Sequence, residues 1–266
     1  MLEIDQSQIA LNEKLKIIDD LQEFLLKNSI LNTLNQNLDD DFKLEYTYNS
    51  NAIEGNTLTL AETKVVLEGL TIGGKTLREH FEIINHAEAI DFIEDLVKNK
   101  EPLSQNVICD IHRLILKNIN NNEAGKYRKT LVSVGGFIPP QPYLLNSQME
   151  EFINNYKNLN THPILKASFA HLEFVRIHPF IDGNGRTARL IMNLELLKNE
   201  FLAINILFEK RSEYYQAIRE YSNFHKGTSA FDNLIADYVI VRLKEKKEWY
   251  EKSLDDSSKH TTHKRR

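Results

Sequence analysis

The stretch HPFIDGNGRTARL, His178 to Leu190, holds a histidine, an aspartate, two glycines and two arginines. Gly183 and Gly185 flank Asn184 directly before a helix-forming run. Glycine permits a tight turn, and a helix start presents free backbone N–H groups at the positive end of its dipole. That combination binds anions. Arg186 and Arg189 stand three apart, so both project from the first turn toward the same anion. Guanidinium forks take phosphate oxygens in pairs. Asp182, on the rim, would repel a bare phosphate and makes chemical sense as the holder of a divalent cation that travels with phosphates. His178, just ahead of the loop, suits a general base near neutral pH. The set predicts a polyphosphate, Mg2+ and a proton acceptor in one place.

Other readings explain less of it. GNGRTA fits the dinucleotide pattern G-x-G-x-x-A, but that pattern follows a strand, and the preceding ILKASFAHLEFVRI has helical period. The P-loop pattern G-x-x-x-x-G-K-[ST] is absent. A plain glycine turn with solvated arginines accounts for each residue singly and not for the group. His171 lies seven residues before His178. A two-histidine metal site there is disfavoured, because no H-E-x-x-H accompanies it. His86, His112 and His225 read as ordinary helix or turn residues.

Two more stretches carry chemistry. In SNAIEGN, Ser50 and Glu54 are four apart and share one helix face, and Gly55 ends that helix. A carboxylate at a helix C-terminus opposes the dipole, so Glu54 calls for a cationic partner. In GKYRKTLVSVGGFIPPQPYLL, β-branched residues surround Gly135-Gly136 and prolines follow, which predicts a hairpin or extended flap.

The rest of the chain must position these groups. Most of it reads as helix. QIALNEKLKIIDDLQEFLLKN places Ile9, Leu15, Ile18, Leu21, Leu25 and Leu26 with helical period. FKLEYTYNSNAI is a second helix, and TLAETKVVLEGL opens with a Thr59–Glu62 capping box. TLREHFEIINHAEAIDFIEDLVKN and SQNVICDIHRLILKN follow, the latter capped by Ser104. HPILKASFAHLEFVRI enters the glycine loop, TARLIMNLELLKN leaves it, and further helices run to about Glu251. This divides the chain into an N-terminal helical segment (1–40), a main domain (41–251) whose second helix spans about 42–55, and a polar tail (252–266) predicted to be disordered.

The 266 residues suffice for a large core. A net charge of −5 does not attract nucleic acid or an anionic membrane surface. The lone Cys109 excludes an internal disulfide framework and a cysteine zinc site. No secretory pattern opens the chain and no run is long enough to span a bilayer, so a soluble cytoplasmic protein is the expectation.

HPFIDGNGR followed by TAR resembles, at every signature position, the H-x-F-x-[DE]-G-N-G-R-x-x-R motif of the Fic family. The resemblance spans roughly Phe42 to Leu243 and implies a mostly α Fic fold, a helical bundle with a β-hairpin flap over the active site. It implies transfer of AMP from ATP to a hydroxyl of a target protein, with release of pyrophosphate. By resemblance His178 deprotonates the hydroxyl, and Asp182 coordinates Mg2+ between the α- and β-phosphates. Gly183, Asn184 and Gly185 line the phosphate cradle, Arg186 contacts the phosphates, and Arg189 holds the γ-phosphate. Phe180 anchors the loop in the core. Tyr214 or Tyr215 walls the adenine, Tyr215 being the preferred assignment, with core packing the role of the other. VSVGGFIPPQP resembles the family's target-binding hairpin, with Val134, Gly135, Gly136 and Phe137 at the flap. SNAIEGN resembles the family's inhibitory motif [ST]-x-x-x-E-[GN], so Glu54, with Ser50, would pair with Arg189 where the γ-phosphate belongs. The resemblance also admits self-modification and a homodimer. Many members carry a DNA-binding module, and the short stretch after Leu243 predicts none here. Two alternatives remain open: a hydrolase that removes AMP using Glu54, and a nucleotide-binding interaction module without catalysis, which would not need His178.

Overall fold

Helix α8, Asn184–Lys198, explains the architecture. Its residues from Arg186 to Leu196 are all buried, and a helix covered on every side belongs at the centre of a bundle. Helix α7, Pro163–Ile177, packs along it, and the His178–Gly183 loop joins the two. In this computed structural model residues 6–28, 39–224 and 228–263 are described. In chain order the remaining helices are α1 (Gln6–Lys27), α2 (Asp40–Ile53), α3 (Leu60–Leu67), α4 (Leu77–Lys98), α5 (Gln105–Leu116), α6 (Leu145–Asn158), α9 (Arg211–Phe224) and α10 (Ser229–His263).

Two apolar clusters flank the α7–α8 pair. One is shared with α2, α4, α5 and α6 and contains Ile90, Ile111, Phe152 and Phe180. The other is shared with α1, α9 and α10 and contains Leu11, Ile18, Leu25, Ile235 and Leu243. Helix α1 buries Leu11, Ile18 and Leu25, a seven-residue spacing that forms a narrow seam along α10. Ile9 and Leu26, expected on the buried face, lie on the exposed side of that seam.

The helix starts follow their sequence signals. Thr59 and Glu62 form the capping box of α3, Thr76 and Glu79 form one on α4, and the Ser104 side chain caps α5. Gly55, at φ +96°, follows α2 as expected of a residue in the left-handed region.

Two expectations need correction. The flap contains no strand among the described residues: Val134 and Phe137 form one isolated antiparallel bridge. Their N–H groups donate to each other's carbonyls at 2.9 Å, closed by Gly135 and Gly136 at φ +56° and +87°. This is a two-residue hairpin turn. Its arms cannot extend into a ladder, because Pro139 and Pro140 have no N–H to give. The Arg128 guanidinium instead ties the arms at their base, donating to the carbonyls of Thr130 (2.9 Å) and Pro140 (2.6 Å). The second correction concerns the tail. Helix α10 continues through His263, past Glu251, since no glycine or proline interrupts EKSLDDSSKHTTH. His225 lies outside the described residues, as do residues 1–5, 29–38, 226–227 and 264–266.

Candidate active site

The last turn of α7 hands the chain to the glycine loop through an unusual residue. His178 caps α7 with φ 49° and ψ 58°, left-handed for a residue with a Cβ. Such a conformation is disfavoured and persists where the surroundings enforce it. Here Arg128 grips both sides of the turn: its Nε donates to the His178 carbonyl at 2.8 Å and its backbone N–H to the Pro179 carbonyl at 2.8 Å. The His178 side chain is thereby turned into a cavity of about 340 Å³, within the usual size of small-ligand sites. Glu54, Gly185, Arg189, Tyr214, Tyr215 and the flap residues Val134, Gly135 and Phe137 line the same cavity.

The loop itself is held from behind. The Phe180 ring is fully buried and stacks on His112, with centroids 3.6 Å apart and planes 3° from parallel. His112 accepts the Gly125 N–H at Nδ1 (2.9 Å), so Nε2 carries the proton and donates to the Asp182 carbonyl at 2.9 Å. Asn184 clasps the loop, its side chain accepting the Phe180 N–H (3.0 Å) and donating to the Phe180 carbonyl (2.8 Å). Gly183, at φ +76°, begins α8, and a Cβ there would lie 3.1 Å from Ile115 and 3.3 Å from His112. At Gly185 a Cβ would collide with the Glu54 carboxylate.

The two arginines of the loop have different surroundings. Arg189 faces the cavity, yet its guanidinium is almost fully taken. Nε donates to the Ser50 hydroxyl at 3.0 Å, Nη2 to the Ser50 carbonyl at 2.7 Å and to Glu54 Oε1 at 2.9 Å, and Nη1 to the Tyr214 hydroxyl at 3.3 Å. Burial opposes its charge, but the Tyr214 and Glu54 oxygens more than offset that, and the guanidinium's affinity for its proton is raised. Arg186 is directed under the loop, 2% exposed, with Nη2 3.3 Å from Asp182 and Nη1 3.4 Å from Glu82. Neither Arg186 nor Asn184 lines the cavity. Asp182, its side chain 41% exposed, does not line the cavity either. Burial pushes its carboxyl up, but Arg186, the Gly183 N–H and Arg78 together hold it below its ordinary value.

The tyrosines divide as follows: Tyr214 is buried, its hydroxyl also 2.7 Å from Nε2 of His171, while Tyr215 is half-buried and donates to the Ile53 carbonyl at 3.2 Å. His171 stacks on Phe231 and is engaged with Tyr214, and no group of three or more potential metal-ligating side chains occurs among the described residues. His86 is buried against Tyr46 and Thr47.

The Fic/DOC family profile matches residues 102–196. A protein adenylyltransferase fic-1 of Caenorhabditis elegans is 40% identical over 179 residues, 65% of this chain and 35% of the relative. A protein adenylyltransferase Fic of Nematostella vectensis is 39% identical over 181 residues, 66% of this chain and 42% of the relative. The chain thus spans well under half the length of these curated relatives. The solved structure of C. elegans Fic-1 (residues 134–508) superposes with a TM-score of 0.82 at 30% identity, covering 92% of this chain and 74% of that one. The chain belongs to the Fic family. A Fic-domain signalling protein from Bacteroides thetaiotaomicron superposes at 0.74 with 28% identity, covering 89% of this chain and 95% of that one.

Within this Fic chain, sequence reasoning passed over Arg78, Glu82, Arg128 and Arg219, and read His112 as an ordinary helix residue. Arg78, Glu82, His112 and Arg128 hold the loop or the flap by contacts from distant parts of the chain, and Arg219 lines the cavity. Nothing in EYYQAIREYSN singles out Arg219, and no local pattern links His112 to Gly125, thirteen residues on.

Burial also makes four histidines proton-poor. Desolvation lowers His112 and His178 from 6.5 to about 4, and His86 and His171 well below 6.5. At His178 the Val175 carbonyl, Glu54 and Asp182 pull the other way without reversing the shift. Between pH 6.5 and about 4 the unfolded chain therefore binds protons that the folded chain refuses, and stability falls as pH falls. Each such group contributes up to about 1.4 kcal/mol per pH unit. Asp39 and Asp182, with lowered values, lose their contributions only below about 3.8, outside this window. Urea midpoints should drop steadily from about pH 7 to about pH 5, and a flat profile would contradict neutral burial of these rings.

Proposed function

We propose that this protein is an adenylyltransferase that moves AMP from ATP to a hydroxyl side chain of a protein, and that Glu54 restrains it. The observation that carries the reading is the meeting of His178, Arg189 and the N-terminus of α8 in one cavity beneath the Val134–Phe137 turn. The relatives' names support the same chemistry. The cavity accepts the nucleotide with its phosphates against the α8 N–H groups and its base beside Tyr215. The target hydroxyl oxygen attacks the α-phosphorus, its proton passes to the free imidazole nitrogen of His178, and the bond to pyrophosphate breaks. Arg189 holds the γ-phosphate once Glu54 leaves it, and Arg186 steadies the loop and Asp182 from below. Catalysis here is positioning and charge stabilisation. The Leu131–Val134 arm of the flap, which carries no proline, takes an extended target segment by main-chain pairing, and such a segment can belong to a second copy of this chain.

Asp182 fits a magnesium ion: it is a hard oxygen donor, held anionic, two residues before the N-terminus of α8. When bound, the ion supplies charge neutralisation of the phosphates. A second reading, removal of AMP from a modified protein, draws on Glu54 itself, a carboxylate on the cavity wall able to orient a water. Among the described residues no helix is long and apolar enough to cross a membrane.

The test is which phosphate moves. Incubated with target protein and Mg-ATP, the chain should transfer label from α-labelled ATP and none from γ-labelled ATP, and chelation of the metal should abolish transfer. Transfer of the γ label would replace this reading by a kinase-like one.

A further inference from the structure

We infer that Arg78 is a built-in competitor for the divalent cation at Asp182, a removable guanidinium holding the carboxylate oxygen that a metal must take. The inference deepens the proposed function and rests on its reading of Asp182. Arg78 lies in the first turn of α4, where its Nη2 is 2.5 Å from Asp182 Oδ2 and its Nε is 3.1 Å from Glu82 Oε1. Across from it, Arg186 reaches the other oxygen of Asp182 at 3.3 Å and the same Glu82 oxygen at 3.4 Å. The four side chains close a ring of alternating charge.

The two arginines in that ring are not equivalent. The Arg186 side chain is 2% exposed and is fixed by burial, whereas that of Arg78 is 57% exposed. An exposed ion pair is worth little and opens readily to water, while a buried guanidinium cannot leave. Asp182 Oδ1 is engaged by the Gly183 N–H and by Arg186. Oδ2 is the oxygen paired with the exposed partner. A cation arriving with phosphates displaces Arg78 into solvent and inherits a free carboxylate oxygen. The displaced guanidinium keeps Glu82, whose second oxygen accepts Asn56, two residues after Glu54. Arg78 therefore sets how much free metal the site demands. An ordinary surface salt bridge at the start of α4 would affect stability and leave metal binding alone.

The experiment titrates the full chain with Mn2+, read by electron paramagnetic resonance, in the presence of a saturating non-hydrolysable ATP analogue. Arg78→Ala should tighten the apparent Mn2+ Kd roughly two- to tenfold at low ionic strength, and Arg78→Lys should stay near wild type. The gap should narrow at about 0.5 M KCl, where the competing charge is screened. An unchanged or weaker Kd in Arg78→Ala overturns the inference, the weaker value meaning that Arg78 helps to hold the nucleotide. Asp182→Asn separates the two levels. If it abolishes nucleotide-dependent Mn2+ binding while Arg78→Ala changes nothing, the inference alone fails; if it leaves Mn2+ binding intact, the metal reading of Asp182 fails and takes the inference with it.

Discussion

His178→Ala should cut AMP transfer by roughly 10²–10⁴-fold, the usual cost of losing a general base, while ATP still binds. The division follows from where the histidine sits. It caps α7 on the near side of the loop, whereas the anion cradle is built from the α8 N-terminus and Arg189 on the far side. Removing the imidazole therefore takes away the proton acceptor and leaves the phosphate contacts. Burial lowers its proton affinity to about 4, so the ring is neutral near physiological pH, with an unprotonated nitrogen. Arg128 holds the loop through the His178 and Pro179 backbone carbonyls, and these contacts do not depend on the side chain. Calorimetry with a non-hydrolysable ATP analogue should give a Kd close to wild type. Transfer at the wild-type rate would place the base elsewhere and refute the assignment.

Glu54→Gly should raise labelling by α-labelled ATP roughly ten- to a hundredfold. Glu54 and a γ-phosphate are anions competing for one guanidinium, and Glu54 holds Arg189 at 2.9 Å. A charge-assisted hydrogen bond of this kind contributes roughly 1.5–3 kcal/mol, and each 1.4 kcal/mol is about tenfold in the productive population. The fold should tolerate the change, because Glu54 is the C-cap of α2, where a carboxylate opposes the helix dipole. Adding Arg189→Ala should cancel the gain, since nothing would then orient the γ-phosphate. Folded Glu54→Gly protein that labels no better than wild type would refute the restraint. A loss of AMP removal from a modified target would favour the hydrolase reading instead.

The residues that act together were legible where they are neighbours in the chain. The loop from His178 to Arg189 announces an anion site because glycines, arginines and a carboxylate crowd into a few positions, and the helices around it show their caps at Thr59, Thr76 and Ser104. What supports the loop was not legible. Arg78 meets Asp182 across 104 residues, His112 meets it across 70, and Arg128 meets His178 across 50. No local pattern records such meetings, because they are decided by how α4, α5 and the flap stack on the α7–α8 pair. The flap was misjudged for a local reason. Propensity for extended backbone is not the same as a supply of N–H donors, and the proline arm lacks them.

If the proposed function holds, Gly185 binds the restraint and the activity to a single missing methyl group. The space its absent Cβ leaves open is where the Glu54 carboxylate now lies, and by the proposed function it is also where phosphate oxygens approach the α8 backbone. Any larger residue there would evict inhibitor and substrate together. On the proposed reading, mutation at this position would not free the enzyme without disarming it. On that reading, release would come from the other side, by displacement of the α2 terminus that carries Glu54.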